Sequence, residues 1–145
     1  MQCENGPVNQ PADLAELFAQ LSREPDLDAP ELQAHDATDR LLLETAQALG
    51  GDATGAFDPG GLVTIGDRHG ALTLGAIAAL GAREVRAFQD PLLGERALAA
   101  NAARLGFDDG ASENRPLDAS LLAGAKLVLL QLPRGLAALQ EIAQL

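Results

Sequence analysis

A strand that turns directly into a helix is indicated by the segment LVTIGDRHGALTL, residues 62–74. In such turns glycines let the backbone approach a ligand, and the helix N-terminus faces an anion. Gly66 and Gly70 stand four residues apart, with Asp67 between them. Arg68 occupies the place of a middle glycine, where its side chain would project toward a bound ligand. The segment could therefore bind a nucleotide or serve only as a tight connection, and the spacing leaves both interpretations open.

A second strand is predicted to end at the segment AFQDP, residues 87–91. Nucleotide-binding folds of this type place an acidic residue at this point to hold ribose hydroxyls. Asp90 is available, but the register counted back from Asn101 places Gln89 at the acidic position. The predicted residues of a ligand cleft are Gly66, Asp67, Gly70, Gln89 and Asp90.

Composition limits the classes of function. The 145 residues include 21 acidic and 10 basic ones, a net charge of −11. Phosphate binding needs a cationic surface, so this balance argues against a stand-alone nucleic-acid-binding protein. The single cysteine, Cys3, excludes an internal disulfide framework and a cysteine-based zinc site, and we expect no metal site. Without a signal peptide or a long apolar stretch, we expect a cytoplasmic protein with no membrane partner.

From residue 62 onward, strands and helices alternate. The predicted strands span residues 62–65, 84–88, 110–114 and 127–130. The predicted helices span residues 71–80, 92–105 and 118–122, and a last helix carries Leu136, Leu139, Ile142 and Ala143. This order indicates right-handed βαβ units and a parallel sheet. The apolar run at 127–130 is typical of a strand buried on both faces.

Residues 1–30 are predicted to form a flexible or helical extension before a domain spanning residues 31–145. The first dozen residues are expected to be loosely attached, and apolar spacing predicts a helix at 13–21. Pro25 and Pro30 favour an extended connector. Asp36 and Asp39 can cap a helix that runs to about residue 49, before a turn-rich stretch at 52–61. Predicted inner faces are Leu42, Thr45, Ala46 and Leu49 in this helix, and Leu93, Ala97 and Ala100 in the helix at 92–105.

These segments resemble the core of the class I S-adenosylmethionine-dependent methyltransferases. The resemblance rests on residues 62–74, 85–91 and 97–106, where Asn101 and Gly106 match the family pattern A-x-x-N-A-x-x-N-G. From about residue 30, the chain is similar to the N-terminal domain of two-domain ribosomal RNA guanine-N2 methyltransferases, the "methyltransferase small" family. The narrower similarity is carried by AHDATDRLLL at 34–43, by the degenerate turn at 66–72 and by LLQLPRG at 129–135.

The resemblance implies an α/β fold, a Rossmann-like parallel sheet of strand order 3-2-1-4 that forms part of a seven-stranded sheet. It implies a transferase of rRNA processing that uses S-adenosyl-L-methionine, with cofactor and chemistry in a C-terminal catalytic domain. Four departures from the family stand in this chain. Thr64 stands where the family has an acidic residue in the first strand, and Arg68 stands at the second glycine of the turn. Gln89 replaces the acidic residue that binds the ribose. The segment QLPR at 131–134 replaces the catalytic Asn-Pro-Pro-aromatic tetrapeptide.

We therefore expect no catalytic residue in this chain and no bound cofactor. The chain is interpreted as the N-terminal, non-catalytic domain or a truncated fragment of such an enzyme, supporting the catalytic domain and the positioning of rRNA. The alternative is a stand-alone small-molecule or nucleotide-binding module that uses Gly66 and Gly70. An active minimal methyltransferase is a third possibility, against which the four departures argue. An exposed apolar edge at residues 127–130 predicts self-association.

The remaining polar residues carry weaker predictions. His35 and His69 could act as general bases, but no nucleophile accompanies them. We expect residues 67–69 to form a solvated loop tip and His35 to lie at the start of a helix. Asp108 and Asp109 are adjacent in a glycine-flanked loop and are expected to face water.

Overall fold

The computed structural model describes residue 11, residues 13–50 and residues 60–145. The helices are α1 (Leu14–Gln20), α2 (Ala37–Gly50), α3 (Ala71–Leu80), α4 (Leu92–Arg104), α5 (Ala119–Leu122) and α6 (Leu136–Ala143). The strands are β1 (Leu62–Ile65), β2 (Val85–Phe88), β3 (Ser112–Asn114) and β4 (Leu127–Leu130). The predictions for residues 1–10 and 52–59 lie outside the described residues.

The four strands form one parallel sheet in the order β3-β2-β1-β4. This confirms the predicted α/β fold and its 3-2-1-4 order. β1 is central, and Val63 lies opposite Arg86 of β2 and Val128 of β4. All four residues of β1 are buried, as expected of a central strand with helices on both faces. The sheet therefore places the carboxyl end of β1 between the carboxyl ends of β2 and β4.

One face of the sheet packs against the first four helices. The larger core cluster joins strand side chains to α1, α2, α3 and α4, and among its members are Leu62, Val85, Leu17, Leu43, Leu72 and Leu98. α1 is part of this core, because Leu17 and Phe18 are almost completely buried. The helix predicted at 13–21 is thus held by packing, and Asp13 caps it by accepting from the Glu16 amide.

The other face of the sheet is thinly covered. A smaller cluster joins Val63 and Ile65 to Leu121 of α5, with Ile142 of α6 packed against it. No residue of α6 is fully buried, and Val128 of β4 is 40% exposed. The prediction that residues 127–130 are buried on both faces is therefore wrong. β4 is an edge strand of the described sheet, and α6 shields it only in part.

The predicted inner faces of two helices were also partly wrong. In α2 the buried apolar residues are Leu43 and Ala46, whereas Thr45 and Leu49 are exposed. In α4 the buried face is Gly94, Ala97, Leu98 and Asn101, whereas Leu93 and Ala100 are exposed. The apolar pattern missed the α4 face because two of its four residues, a glycine and an asparagine, are not apolar.

No helix within the described residues is long and apolar enough to span a bilayer.

The outer edge of β4 predicts self-association, and Val128→Lys is expected to reduce it. A lysine on an edge strand disfavours pairing with a second strand. Sedimentation velocity over a concentration series measures the effect. Leu27→Lys is the matched control, because Leu27 is 71% exposed and lies in the connector before α2. A monomer at every concentration of the unchanged chain, or equal effects of both variants, would contradict the prediction.

Candidate functional site

A cleft of about 630 Å³ lies at the carboxyl ends of β1, β2 and β4. The helix after β1, α3, lies on one face of the sheet, and the helix after β4, α6, lies on the other. The connections of these two neighbouring strands therefore leave the sheet on opposite faces. Open parallel sheets bind ligands at such a switch point. The cleft also takes in part of the connector between α1 and α2, including Arg23, Gln33 and His35.

The backbone of the turn after β1 has little space around it, because it lies between the ends of the two neighbouring strands. Gly66 has a φ of +83° and donates its amide to the carbonyl of Phe88 at the end of β2, at 2.9 Å. A Cβ at this position would lie 3.1 Å from the Cβ of Gln131, beyond β4. Glycine is therefore required at position 66 by both backbone conformation and space.

Asp67 fills the amino end of α3 with its own carboxylate. Its Oδ1 accepts from the amides of Gly70 and Leu72 at 3.1 and 3.2 Å, and its Oδ2 accepts from the Thr73 amide at 2.7 Å. The side chain is 1% exposed. Burial raises the pKa of Asp67, and the hydrogen bonds from Thr73, Leu72 and Gly70 oppose that rise. The amides that could receive an external anion are thus already occupied.

His69 is buried rather than solvated. It is 4% exposed, and its Nε2 lies 3.0 Å from Asp26 Oδ2 in the connector. This contact, followed by the Leu27 amide, lowers the pKa of Asp26. The prediction of a solvated tip at residues 67–69 is therefore wrong for Asp67 and His69, and only Arg68 is exposed.

Asn101 of α4 fixes the connector against this turn. Its side-chain amide donates to the carbonyls of Ser22 and His69, both at 2.8 Å, and its Oδ1 accepts from the Ser22 amide at 3.0 Å. The residue is 1% exposed. Asn101, which the sequence motif singled out, thus joins three separate segments of the chain.

Two carboxylates at the start of α2 are hydrogen-bonded to the residue that follows β4. Asp36 and Asp39 cap the helix reciprocally, since Asp36 Oδ1 accepts from the Asp39 amide and Asp39 Oδ2 accepts from the Asp36 amide. Gln131 donates its side-chain Nε2 to Asp39 Oδ1 at 2.6 Å and to Asp36 Oδ1 at 3.2 Å. The predicted capping role is confirmed, whereas the link to Gln131, 92 residues away, had no signal in the sequence.

Burial has a large effect on Asp39, which is 6% exposed. It raises the pKa of this carboxyl to about 6, and the hydrogen bond from Gln131 opposes the rise. His35, near the same wall of the cleft, has its pKa lowered by burial and then by Arg40. Its ring lies edge-on to Phe18 with centroids 4.6 Å apart, so packing against α1 determines its position.

Gln89 is the least satisfied polar residue of the cleft wall. It is 2% exposed, and neither its Oε1 nor its Nε2 bonds to another described residue. Its carboxamide lies against the first turn of α4, because a Cβ at Gly94 would overlap with Gln89 Oε1. A buried polar group without partners costs about 1–3 kcal/mol.

The structure brings together four of the five predicted cleft residues. Gly66, Asp67, Gln89 and Asp90 line the cleft. Gly70 lies behind it, where a Cβ would contact the side chains of Leu98 and Leu74. Within residues 13–50 and 60–145, no three His, Cys, Asp or Glu side chains converge as metal ligands. Which of these residues hold a ligand stays a prediction.

Gln89→Met is expected to stabilise the fold by about 1 kcal/mol. The substitution keeps the length of the side chain and removes the unpartnered amide from the interior. Chemical denaturation measures the change in the free energy of unfolding. Gln140→Met on the exposed side of α6 is the control, expected to stay within about 0.5 kcal/mol. A loss of stability in Gln89→Met would show that the amide has a favourable partner.

Asp39→Asn is expected to gain stability relative to the unchanged chain as the pH rises from about 4 to 7. The raised folded-state pKa of Asp39, about 6 against 3.8, means that its contribution is fully present below pH 3.8 and is lost as the pH passes 6. The asparagine cannot ionise, so the difference grows by up to about 3 kcal/mol. Urea denaturation at several pH values tests this, with the exposed Asp109→Asn as control. A difference independent of pH would contradict the prediction.

A protein-family model matches most of this sequence. The family model described as RLMG N-terminal domain matches residues 9–145. That span includes every helix and strand of the described fold. No match was found among the curated proteins. Because the match covers almost the whole sequence, this chain belongs to the RLMG N-terminal domain family.

Proposed function

We propose that this chain is the non-catalytic N-terminal domain of an S-adenosylmethionine-dependent rRNA guanine-N2 methyltransferase. Its family is described as an N-terminal domain, and the resemblance to the two-domain methyltransferases implies a C-terminal catalytic domain as its partner. The role of this chain is to support that domain and to help position rRNA. The net charge of −11 favours support over a strong direct grip on RNA.

The observation that carries the proposal is the position of Gln131. It stands where the resemblance places the catalytic asparagine, and its amide nitrogen donates to both Asp39 and Asp36. A side chain that holds α2 against β4 is not free to orient the amine of a target base. Leu132 and Arg134, which follow it, supply no aromatic ring to stack on that base.

The rest of the cleft fits S-adenosylmethionine poorly. Thr64 stands at the acidic position of β1 and is fully buried, with its hydroxyl 2.8 Å from that of Thr73. Gln89 offers a neutral amide where a carboxylate would hold the ribose hydroxyls. Arg68 is exposed at the tip of the turn, where the family has glycine. We therefore derive no catalytic step from this chain.

Isothermal titration calorimetry with S-adenosylmethionine tests the proposal, and no heat of binding is expected up to millimolar ligand. An active class I methyltransferase titrated with the same ligand solution is the positive control. Binding in the micromolar range that is lost in Asp90→Ala would overturn the proposal. Methyl transfer to rRNA by this chain alone would overturn it as well.

A further inference from the structure

The first turn of α2 is attached to the sheet by polar contacts. Within residues 36–41 only Asp39 is buried, and the other five residues are exposed. The apolar anchors of the helix, Leu43 and Ala46, follow this turn and pack in the larger core cluster. Ala34, which precedes it, is buried as well. Residues 36–41, here called the α2 start, therefore lie between two anchored points and can move without disturbing the core.

Gln131 holds the α2 start against the end of β4. Its Nε2 donates to Asp39 Oδ1 at 2.6 Å and to Asp36 Oδ1 at 3.2 Å. Asp67, in the turn after β1, lies close enough for its charge to disfavour a second charge on Asp39. The amide of Gln131 is neutral and does not balance these carboxylates. Repulsion among the three groups therefore increases as they ionise.

A negative charge on Asp39 has no counter-ion within the described part of the chain. Arg40 is on the same helix, but it pairs with Glu44 and lies over the ring of Phe18. α3, which packs against α2, carries no titratable residue, and Glu16 of α1 is exposed. The cleft has further charged or titratable residues, and none of them is hydrogen-bonded or ion-paired to Asp39: Arg23, His35, Arg68, His69, Asp90, Arg134 and Glu141.

Proton uptake by Asp39 is linked to closure of the α2 start. Burial raises the pKa of Asp39 to about 6 in the closed arrangement, and contact with water in an open one would return it toward 3.8. The closed arrangement therefore has its full contribution from Asp39 below pH 3.8 and loses it as the pH passes 6. His35 has the opposite dependence, because burial and then Arg40 lower its pKa, so that acid favours its release. The direction of the pH effect thus distinguishes the two residues.

We propose that the α2 start opens transiently from the end of β4, and that it opens more often as the pH rises. The contact between Gln131 and Asp39 is the latch that closes it. Asp36, Asp39 and Gln131 all line the cleft, so opening widens the cleft at this wall. The closed arrangement stays the main population, and the non-catalytic role proposed above does not depend on the movement. The proposal therefore goes beyond the proposed function and can fail separately from it.

Amide hydrogen exchange of the full chain, followed by NMR between about pH 4.5 and 7.5, tests the proposal. The amides of Asp36 and Asp39 report the latch directly, because each donates to the carboxylate of the other. Their exchange, corrected for the intrinsic effect of pH, is expected to increase about tenfold or more over this range. The amides of β1, all of whose residues are buried, are the reference for global unfolding. Local opening requires that Asp36 and Asp39 exchange faster than β1 at every pH.

Asp39→Asn is expected to remove this increase, because an asparagine keeps the size of the side chain and does not ionise. Its control is Asp109→Asn, at an exposed position outside the cleft.

Gln131→Lys is expected to slow the exchange of the Asp36 and Asp39 amides several-fold at about pH 7.5, because an ammonium group pairs with both carboxylates. Gln140→Lys adds the same charge at an exposed position of α6 that does not line the cleft, and it is expected to leave the exchange unchanged. Damage to the fold does not explain a variant that closes the latch more tightly.

Five results would overturn the proposal. One is exchange of Asp36 and Asp39 that does not change with pH, and another is an increase that persists in Asp39→Asn. Equal exchange at Asp36, Asp39 and β1 would mean that the chain opens only by global unfolding. An increase toward acid pH would assign the movement to His35. Faster exchange in Gln131→Lys than in the unchanged chain would show that repulsion between carboxylates does not drive the opening.

Discussion

The cleft depends on the hydrogen bonds between the Asp67 side chain and the backbone amides at the amino end of α3. Three backbone amides converge on a group that is removed from water, and each of them would lack a partner without it. The same contacts fix the backbone of the turn after β1. With that turn fixed, Arg68 is directed outward, and the carbonyl of His69 meets Asn101. The carboxyl group of Asp67 therefore organises both sides of the turn.

Polar groups that could serve a ligand are repeatedly used inside the protein. Asp67 accepts from the first amides of α3, and Thr64 bonds to Thr73. Gln131 donates to two carboxylates at the start of α2. Each contact stabilises the fold and removes a hydrogen-bonding group from the cleft. In the supporting role proposed above, such contacts carry no catalytic cost, because the domain needs stability and does not have to bind a transition state. Arg68 and Arg134, which have no hydrogen bond or ion pair within the described residues, also line the cleft.

Local signals made most of the fold predictable. β1, the turn at Gly66 and α3 follow one another within 20 residues, and strand and helix periods are clear there. The burial of His69 was missed because its partner Asp26 lies 43 residues earlier in an irregular connector. The contact between Asp39 and Gln131 was missed for the same reason. Pairings of polar side chains across long separations leave no periodic pattern, so only the three-dimensional arrangement reveals them.

The hydrogen bonds of Asn101 to Ser22 constrain when the connector can dock during synthesis. Ser22 and Asn101 are 79 residues apart, so the connector has no anchor on α4 until residue 101 has left the ribosome. Contacts of such long range form late, because the entropy of closing a large loop must be overcome first. The wall formed by residues 21–36 therefore lacks its anchor on α4 until that helix has been synthesised. Until α4 has been synthesised, a nascent chain exposes the ends of β1 and β2 to solvent and to chaperones.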